Sequence, residues 1–218
     1  MGKTVFLSAG HGGSDPGACA YGLKEKDINL QILLKCKSEL ERHGVRVVAS
    51  RTKDESDSVS QEVKEANSSG ADIAVSFHTN AGKGDGFEAY YWSENSKGKK
   101  LATLGEKYVK AIGQNSRGVK SGNHLFFIKM TLIPAVLFES FFIDNDKDNN
   151  IGDSLSDQNA LGVAYAKAIL EYLNIKYETE TNAIYRVQVG AFTNKANAEK
   201  LKNDLKYRGF DAVIVKGV

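Results

Sequence analysis

Apolar and polar positions along this chain follow two different periods, and the change from one to the other recurs. Residues 3–8 form a short apolar run that stops at Gly10-His11-Gly12-Gly13, which predicts a buried strand running into a turn. Residues 27–43 carry Ile28, Leu30, Ile32, Leu33, Leu34, Cys36 and Leu40 as a broad apolar face. Gly44 follows as a plausible C′ residue, so a helix is expected. Residues 45–49 predict the next strand, 59–68 a polar helix and 71–77 a short apolar strand. Residues 86–92 set Phe87, Ala89 and Tyr91 against Glu88, Tyr90 and Trp92, the pattern of a strand near a sheet edge. A helix over 97–113 gathers Leu101, Leu104, Tyr108, Val109 and Ile112 on one side. Two further strands are expected at 125–128 and 135–138, and a long closing helix at 157–173.

Strands and helices thus alternate to about residue 174. That order implies an α/β fold, a mixed and mostly parallel sheet layered by helices. Ligands of such folds gather at the carboxyl ends of the strands. Residues 176–182 are polar and aperiodic and read as a linker between residues 1–175 and a C-terminal unit, 183–218. That unit predicts a strand at 184–189, an amphipathic helix at 195–208 closed by Gly209, and a strand at 211–215, one small βαβ half-domain.

Composition narrows this picture without changing it. At 218 residues, with 41% hydrophobic and 26% charged positions, the chain holds one good core and a small second module. Its net charge of +2 argues against a nucleic-acid binder. The C-terminal unit carries seven Lys and Arg against three acids, a net +4, which leaves −2 for the rest and suits a polyanionic surface. No apolar run approaches a transmembrane length, and Val5-Phe6-Leu7 is too short for a secretory core, so no membrane insertion is expected. The expectation is synthesis in the cytoplasm without a signal peptide and action elsewhere after release. Cys19 and Cys36 lack metal spacing and read as two reduced thiols.

The candidate chemistry rests on four residues distant in sequence: His11, Glu25, His78 and Glu139. His11, His78 and Glu139 each follow an expected strand, and Glu25 lies in the loop before the first helix. Two imidazoles and a carboxylate can hold one zinc ion and leave a position for water. The assignment makes His11, Glu25 and His78 the ligands and Glu139 the general base, which later returns the proton to a leaving amine. Asn80 is placed to orient a ligand or contact substrate. His43 reads as a helix-terminal cation, and His124 as a residue that could face the cleft.

With these residues in view, the chain resembles the zinc-dependent N-acetylmuramoyl-L-alanine amidases. The resemblance runs over about residues 3–174 and is carried by Gly10-His11-Gly12-Gly13-Ser14-Asp15-Pro16-Gly17, Glu25-Lys26-Asp27-Ile28-Asn29-Leu30, Ser50-Arg51-Thr52, Ala66-Asn67, Ser76-Phe77-His78-Thr79-Asn80 and Pro134-Ala135-Val136-Leu137-Phe138-Glu139. It implies cleavage of the amide between N-acetylmuramic acid and L-alanine in bacterial peptidoglycan, with Zn2+ on His11, Glu25 and His78 and with Glu139 as catalytic glutamate. The tail resembles the peptidoglycan-binding sporulation-related (SPOR) repeat, on Tyr185-Arg186-Val187-Gln188-Val189-Gly190-Ala191-Phe192 and Gly209-Phe210-Asp211-Ala212. A single repeat leaves an unpaired edge and an apolar face, so a homodimer through paired tails is expected. Phe141, Glu62 and Lys129 depart from the family pattern, where glycine, arginine and arginine are usual. Lys129 and Phe141 are therefore expected, with Asn80, at the substrate groove. Within the family's range, a phage endolysin and a sporulation cell-wall hydrolase both fit. A zinc peptidase acting on the stem peptide and a non-catalytic wall-binding protein are the competing readings.

Overall fold

In a computed structural model that describes residues 2–94, 96–179 and 187–216, β1 (Thr4–Ala9) is buried along its whole length. A small antiparallel hairpin, β2 (Cys19–Ala20) and β3 (Leu23–Lys24), turns at Tyr21 and Gly22 and delivers the chain into α1 (Glu25–Arg42). No side chain caps α1, but Glu25 and Asp27 in its first turn offset the exposed N–H dipoles. Next come β4 (Arg46–Ala49) and α2 (Val59–Ser68), where the Ser58 hydroxyl caps the helix by accepting from the Gln61 N–H. The chain continues through β5 (Ile73–Asn80), β6 (Phe87–Tyr91), α3 (Lys97–Ala111), β7 (Ser116–Ser121), α4 (Phe126–Met130), β8 (Ala135–Phe142), a 3-10 turn (Asp148–Ile151) and α5 (Leu155–Tyr172).

The six long strands form one sheet in the order β4-β1-β5-β8-β6-β7. Only the β6–β8 pair is antiparallel, so the sheet is mixed and mostly parallel. Period two sorts β5 cleanly. Ile73, Val75 and Phe77 enter the larger core with residues of α1, α3 and α5, while Ala74 enters a smaller core with residues of α2 and α4. His78 continues the Ala74 side. Behind it, on the larger-core side, Phe77, Phe87, Phe138 and Tyr165 pack as an aromatic layer, with Phe138 and Tyr165 stacked at 4.6 Å. This layer holds β5 and β8 from the face opposite the site.

Three sequence expectations are corrected here. Residues 125–128 are not a strand. A four-residue apolar run does not distinguish strand from buried helix, and α4 instead buries Phe127 and Ile128 in the smaller core. β7 was not expected at all, because Ser116–Ser121 is polar, contains Gly118 and is only half-buried at the sheet edge. It leaves β6 one strand in from that edge. Finally, β5 and β8 run further than predicted, so His78 and Glu139 lie within strands rather than after them.

The chain divides into two units, Met1–Glu178 and Thr179–Val218. The first residues of the expected linker belong to the first unit. The Glu178 N–H donates to His43 Nε2 (2.9 Å), and the Tyr177 ring stacks on His43 at 5.0 Å. In the second unit α6 (Lys195–Tyr207) forms, capped by Asn194. Residues 184–186 of the expected first strand, and 180–182 of the linker, lie outside the described residues. Residues 187–189 and 211–215 are in no ladder among the described residues. A strand exists only through its neighbour, and among the described residues the βαβ expectation is realised as its helix alone. No helix among the described residues is long and apolar enough to cross a membrane.

Candidate metal centre and catalytic carboxylate

The first turn of the site is a strained one. His11 follows β1 with φ 65°, a left-handed conformation that a non-glycine residue holds only when its surroundings impose it. Those surroundings are visible. The Gly10 N–H donates to the Phe77 carbonyl (3.0 Å), extending the β1–β5 ladder past the strand. Buried Arg51 donates from Nε to the Ala9 carbonyl (3.0 Å) and from Nη2 to the carbonyls of Lys26 (2.7 Å) and Gly10 (3.4 Å). Lys26 Nζ donates to the Gly13 carbonyl and to Asp54, which in turn accepts from the Gly13 N–H. A Cβ on Gly10 would lie 2.1 Å from the His78 ring, so only glycine lets the loop approach this imidazole.

Glu25 is the hub. It opens α1 and is 5% exposed. Its Oε2 lies 3.3 Å from His11 Nε2 and accepts from the Ala18 N–H (2.9 Å). Its Oε1 lies 3.1 Å from His78 Nδ1 and accepts from the Thr79 N–H (3.1 Å) and Asn29 Nδ2 (3.3 Å). Asn29 in turn bonds the Gly10 carbonyl and the Thr79 hydroxyl, which ties α1, β1 and β5 together. The far nitrogen of His11, Nδ1, is held by Asp15 Oδ2 at 2.8 Å, the orientation that a carboxylate gives a metal-ligating imidazole. One donor atom from each of His11, Glu25 and His78 lies within 4.8 Å of the others.

Electrostatics agree with the geometry. Burial pushes the Glu25 carboxyl up, but hydrogen bonds from His11 and His78 outweigh it and hold the group well below the usual carboxylate range. The hydrogen bond to Glu25 lifts His11 to about 9 against the opposing effect of burial. His78 is raised too, burial being overcome by Glu25 and by the charge of Glu139. Without a cation, the set draws in protons. Two nitrogens and one carboxylate converging in this way suit zinc.

Glu139 sits beside His78 in register across the β5–β8 pair. Its Oε2 is buried and has no hydrogen-bond partner, which is costly for a carboxylate with only a structural role. Burial, with the charges of Glu25 and Glu88 opposing His78, raises it to about 7. Of the expected groove residues, Asn80 lies at the site's flank, where its Nδ2 reaches Glu88 Oε2 at 3.4 Å. Lys129 is exposed on α4. Phe141 is not a groove residue. It is fully buried in the larger core and packs where a Cβ on Gly152 would lie. The pairing shifts from His78↔Glu139 to Asn80↔Phe142, one additional residue on β8, and this bulge sends Phe141 inward and brings Phe142 round to the site's face. Glu62 is buried at the start of α2 with its carboxyl raised by burial. His124 is exposed, edge-on to Tyr90. The sequence pattern assigns no role to Asp15, Asn29, Arg51 or Thr79. All four are visible as motif residues, but the groups they hold are a matter of tertiary contact.

A mixed α/β sheet with a His–Glu–His set that could hold a metal ion on one face, and a carboxylate with a buried, unpartnered oxygen beside it, is the arrangement of a hydrolase-like class. The model of the N-acetylmuramoyl-L-alanine amidase family matches residues 5–171, and that of the SPOR domain matches residues 162–218. The chain belongs to the N-acetylmuramoyl-L-alanine amidase family and is an enzyme that hydrolyses that amide in peptidoglycan. It is 35% identical over 215 residues to the sporulation-specific N-acetylmuramoyl-L-alanine amidase of Bacillus subtilis (strain 168), covering 97% of this chain and 84% of that protein. It is 38% identical over 192 residues to the endolysin of Bacillus phage SPP1, covering 84% and 70%. The catalytic domain of the amidase CwlV from Bacillus (Paenibacillus) polymyxa var. colistinus superposes with a TM-score of 0.74 at 34% identity, over 80% of this chain and 99% of that one.

Proposed function

We propose that the enzyme works as a zinc hydrolase, with His11, Glu25 and His78 as the protein ligands and Glu139 as the general base. The observation that carries this reading is the convergence of three donor atoms beside one unpartnered carboxylate poised near neutrality. Bound there, zinc would supply a Lewis acid for the scissile carbonyl and make water easier to deprotonate. Glu139 accepts the proton of the attacking water and hands it to the departing L-alanine nitrogen, an amine too basic to leave unprotonated. Asp15 keeps His11 in the tautomer whose Nε2 is free to ligate. Arg51 and Asn29 hold the loop and helix in place and take no part in the proton transfers.

Protons compete with the metal for this set. His11, raised to about 9, is charged at pH 7 and must lose its proton to ligate. The raised value favours the metal-free fold fully below about 6.5 and ceases to do so as pH rises through about 9. Zinc titration by calorimetry at pH 7, in two buffers of different ionisation enthalpy, is expected to show release of about one proton or more per ion. Apparent affinity is expected to fall as pH is lowered. Zinc uptake without proton release, or wall hydrolysis that survives a chelator, overturns the assignment.

For the C-terminal unit we propose pairing with the same unit of a second chain on the peptidoglycan surface. Support comes from exposed Val187, Val189, Phe210, Val213 and Val215 and from the absence of any ladder among the unit's described residues. Two copies would give each apolar segment a partner. Light scattering of the full chain at micromolar concentration is expected to read a dimer, and a monomer at all concentrations overturns this reading.

A further inference from the structure

Glu139 is the middle of a row across the sheet. His78 is its register partner on β5, and Glu88 its partner on β6. Next in the row stands β7, where the ladder is irregular. Phe87 pairs with Ser116 and Ala89 with Val119, so β7 spends one additional residue opposite Glu88. The bulge is closed by Gly118, at φ 92°, whose N–H donates to Ser116 Oγ at 2.9 Å. In an unbroken strand residues 117 and 120 would face opposite sides of the sheet. The additional residue inverts that phase and brings both side chains to one carboxylate. Arg117 Nε donates to Glu88 Oε1 at 2.7 Å, and Lys120 Nζ donates to the same atom at 2.6 Å. Tyr90 and Asn80 donate to Oε2. Glu88 itself is 4% exposed, whereas the side chains of Arg117 and Lys120 are 45% and 37% exposed.

Two cations on one carboxylate leave a net charge of +1 beside Glu139. The Arg117 guanidinium lies 5.3 Å over the ring of Phe142, the residue that the β8 bulge turned to this face. Among the described residues Arg117 hydrogen-bonds to protein through Nε alone, so the planar two-donor edge of its terminal nitrogens is left open. That edge matches a carboxylate better than any neutral group.

We propose that Arg117 and Lys120, locked on Glu88, form a carboxylate subsite for the peptide side of the substrate, taking a free carboxylate of the residue that follows L-alanine. The inference rests on the amidase function. On the glycan side the lactyl carboxyl is consumed in the scissile amide, which leaves no anion there for this cluster. The peptide side carries free carboxylates. Scale agrees: β7 lies two strand spacings from β8, about 10 Å, and an extended residue spans roughly 3.5 Å. With the length of the arginine side chain, the subsite meets a group one to two residues beyond the scissile bond. The stem peptide then runs off the β7 edge of the sheet, and the glycan lies toward β1.

Steady-state hydrolysis of N-acetylmuramoyl-L-alanyl-D-glutamate, compared with the same compound bearing both glutamate carboxylates as amides, tests this. Wild type is expected to favour the acid by about tenfold to a hundredfold in kcat/KM, mainly through KM. Arg117→Gln and Lys120→Gln should each collapse that ratio toward one, and Arg117→Lys should keep part of it. Because the ratio is read within one variant, a general drop in activity does not mask it. Equal wild-type kcat/KM on the two compounds, or variants that keep the wild-type ratio, would overturn the subsite. Failure of wild type to cleave either compound would instead count against the amidase function.

Discussion

Glu139→Gln is expected to lower kcat by about 10² to 10⁴ while leaving zinc affinity within a few-fold of wild type. The substitution keeps the shape of the side chain and removes only its ability to take a proton. Glu139 is the group whose burial, with no partner at Oε2, sets its proton affinity near 7. Its kcat profile should therefore lose activity on the acid side at or below about pH 7, and the variant's residual activity should lack that limb. Stability offers a second readout. A carboxyl whose folded pKa is raised from 4.5 to about 7 contributes stability that is complete below about 4.5 and is lost as pH rises through about 7. Glutamine does not titrate, so the variant's melting temperature should gain on wild type between pH 5 and pH 8. A variant that retains zinc and wild-type turnover would remove Glu139 from the proton transfers.

Glu25→Ala is expected to abolish zinc binding and to weaken the metal-free fold as well. The two effects have one cause, since the same carboxylate faces both histidines and also accepts from the N–H groups of Ala18 and Thr79 and from Asn29. Removing it leaves several buried donors without an acceptor, at about 1–3 kcal/mol for each group. In wild type, zinc at about a hundred times its dissociation constant should add about 2.7 kcal/mol, a rise in melting temperature of roughly 5–10 °C for a domain of this size. The variant should start lower and show no rise. Glu25→Gln separates the two effects: it retains an oxygen acceptor and part of the metal-free stability, yet presents a poorer ligand. Thermal unfolding with zinc and with chelator measures all three proteins. A Glu25→Ala protein whose melting temperature still climbs with zinc would place the ion elsewhere.

Much of the fold and of the site is legible in the chain's own pattern. The helical periods of α1, α3 and α5 are long and unambiguous, and the strand-ending glycines mark where β1 stops. His78 and Glu139 stand out because each interrupts an apolar run, where a polar side chain has few bland explanations, and His11 follows one through a glycine turn; Glu25, in the charged stretch Lys24-Glu25-Lys26-Asp27, is legible only through the motif it belongs to. The tail is the opposite case. Its helix is local and forms, but its strands depend on a partner edge that the described residues do not supply.

By itself the sequence determined the layered α/β order, the residues that could act as ligands and base, and the basic character of the tail, because hydrophobic period and residue chemistry are local properties. Tertiary structure decided which residues share a face after each bulge. A period-two pattern assumes unbroken phase, and one inserted residue inverts every side chain beyond it. That is why Phe141 left the groove for the core and Phe142 replaced it. The same inversion on β7 brings Arg117 and Lys120 together on Glu88, beside Glu139.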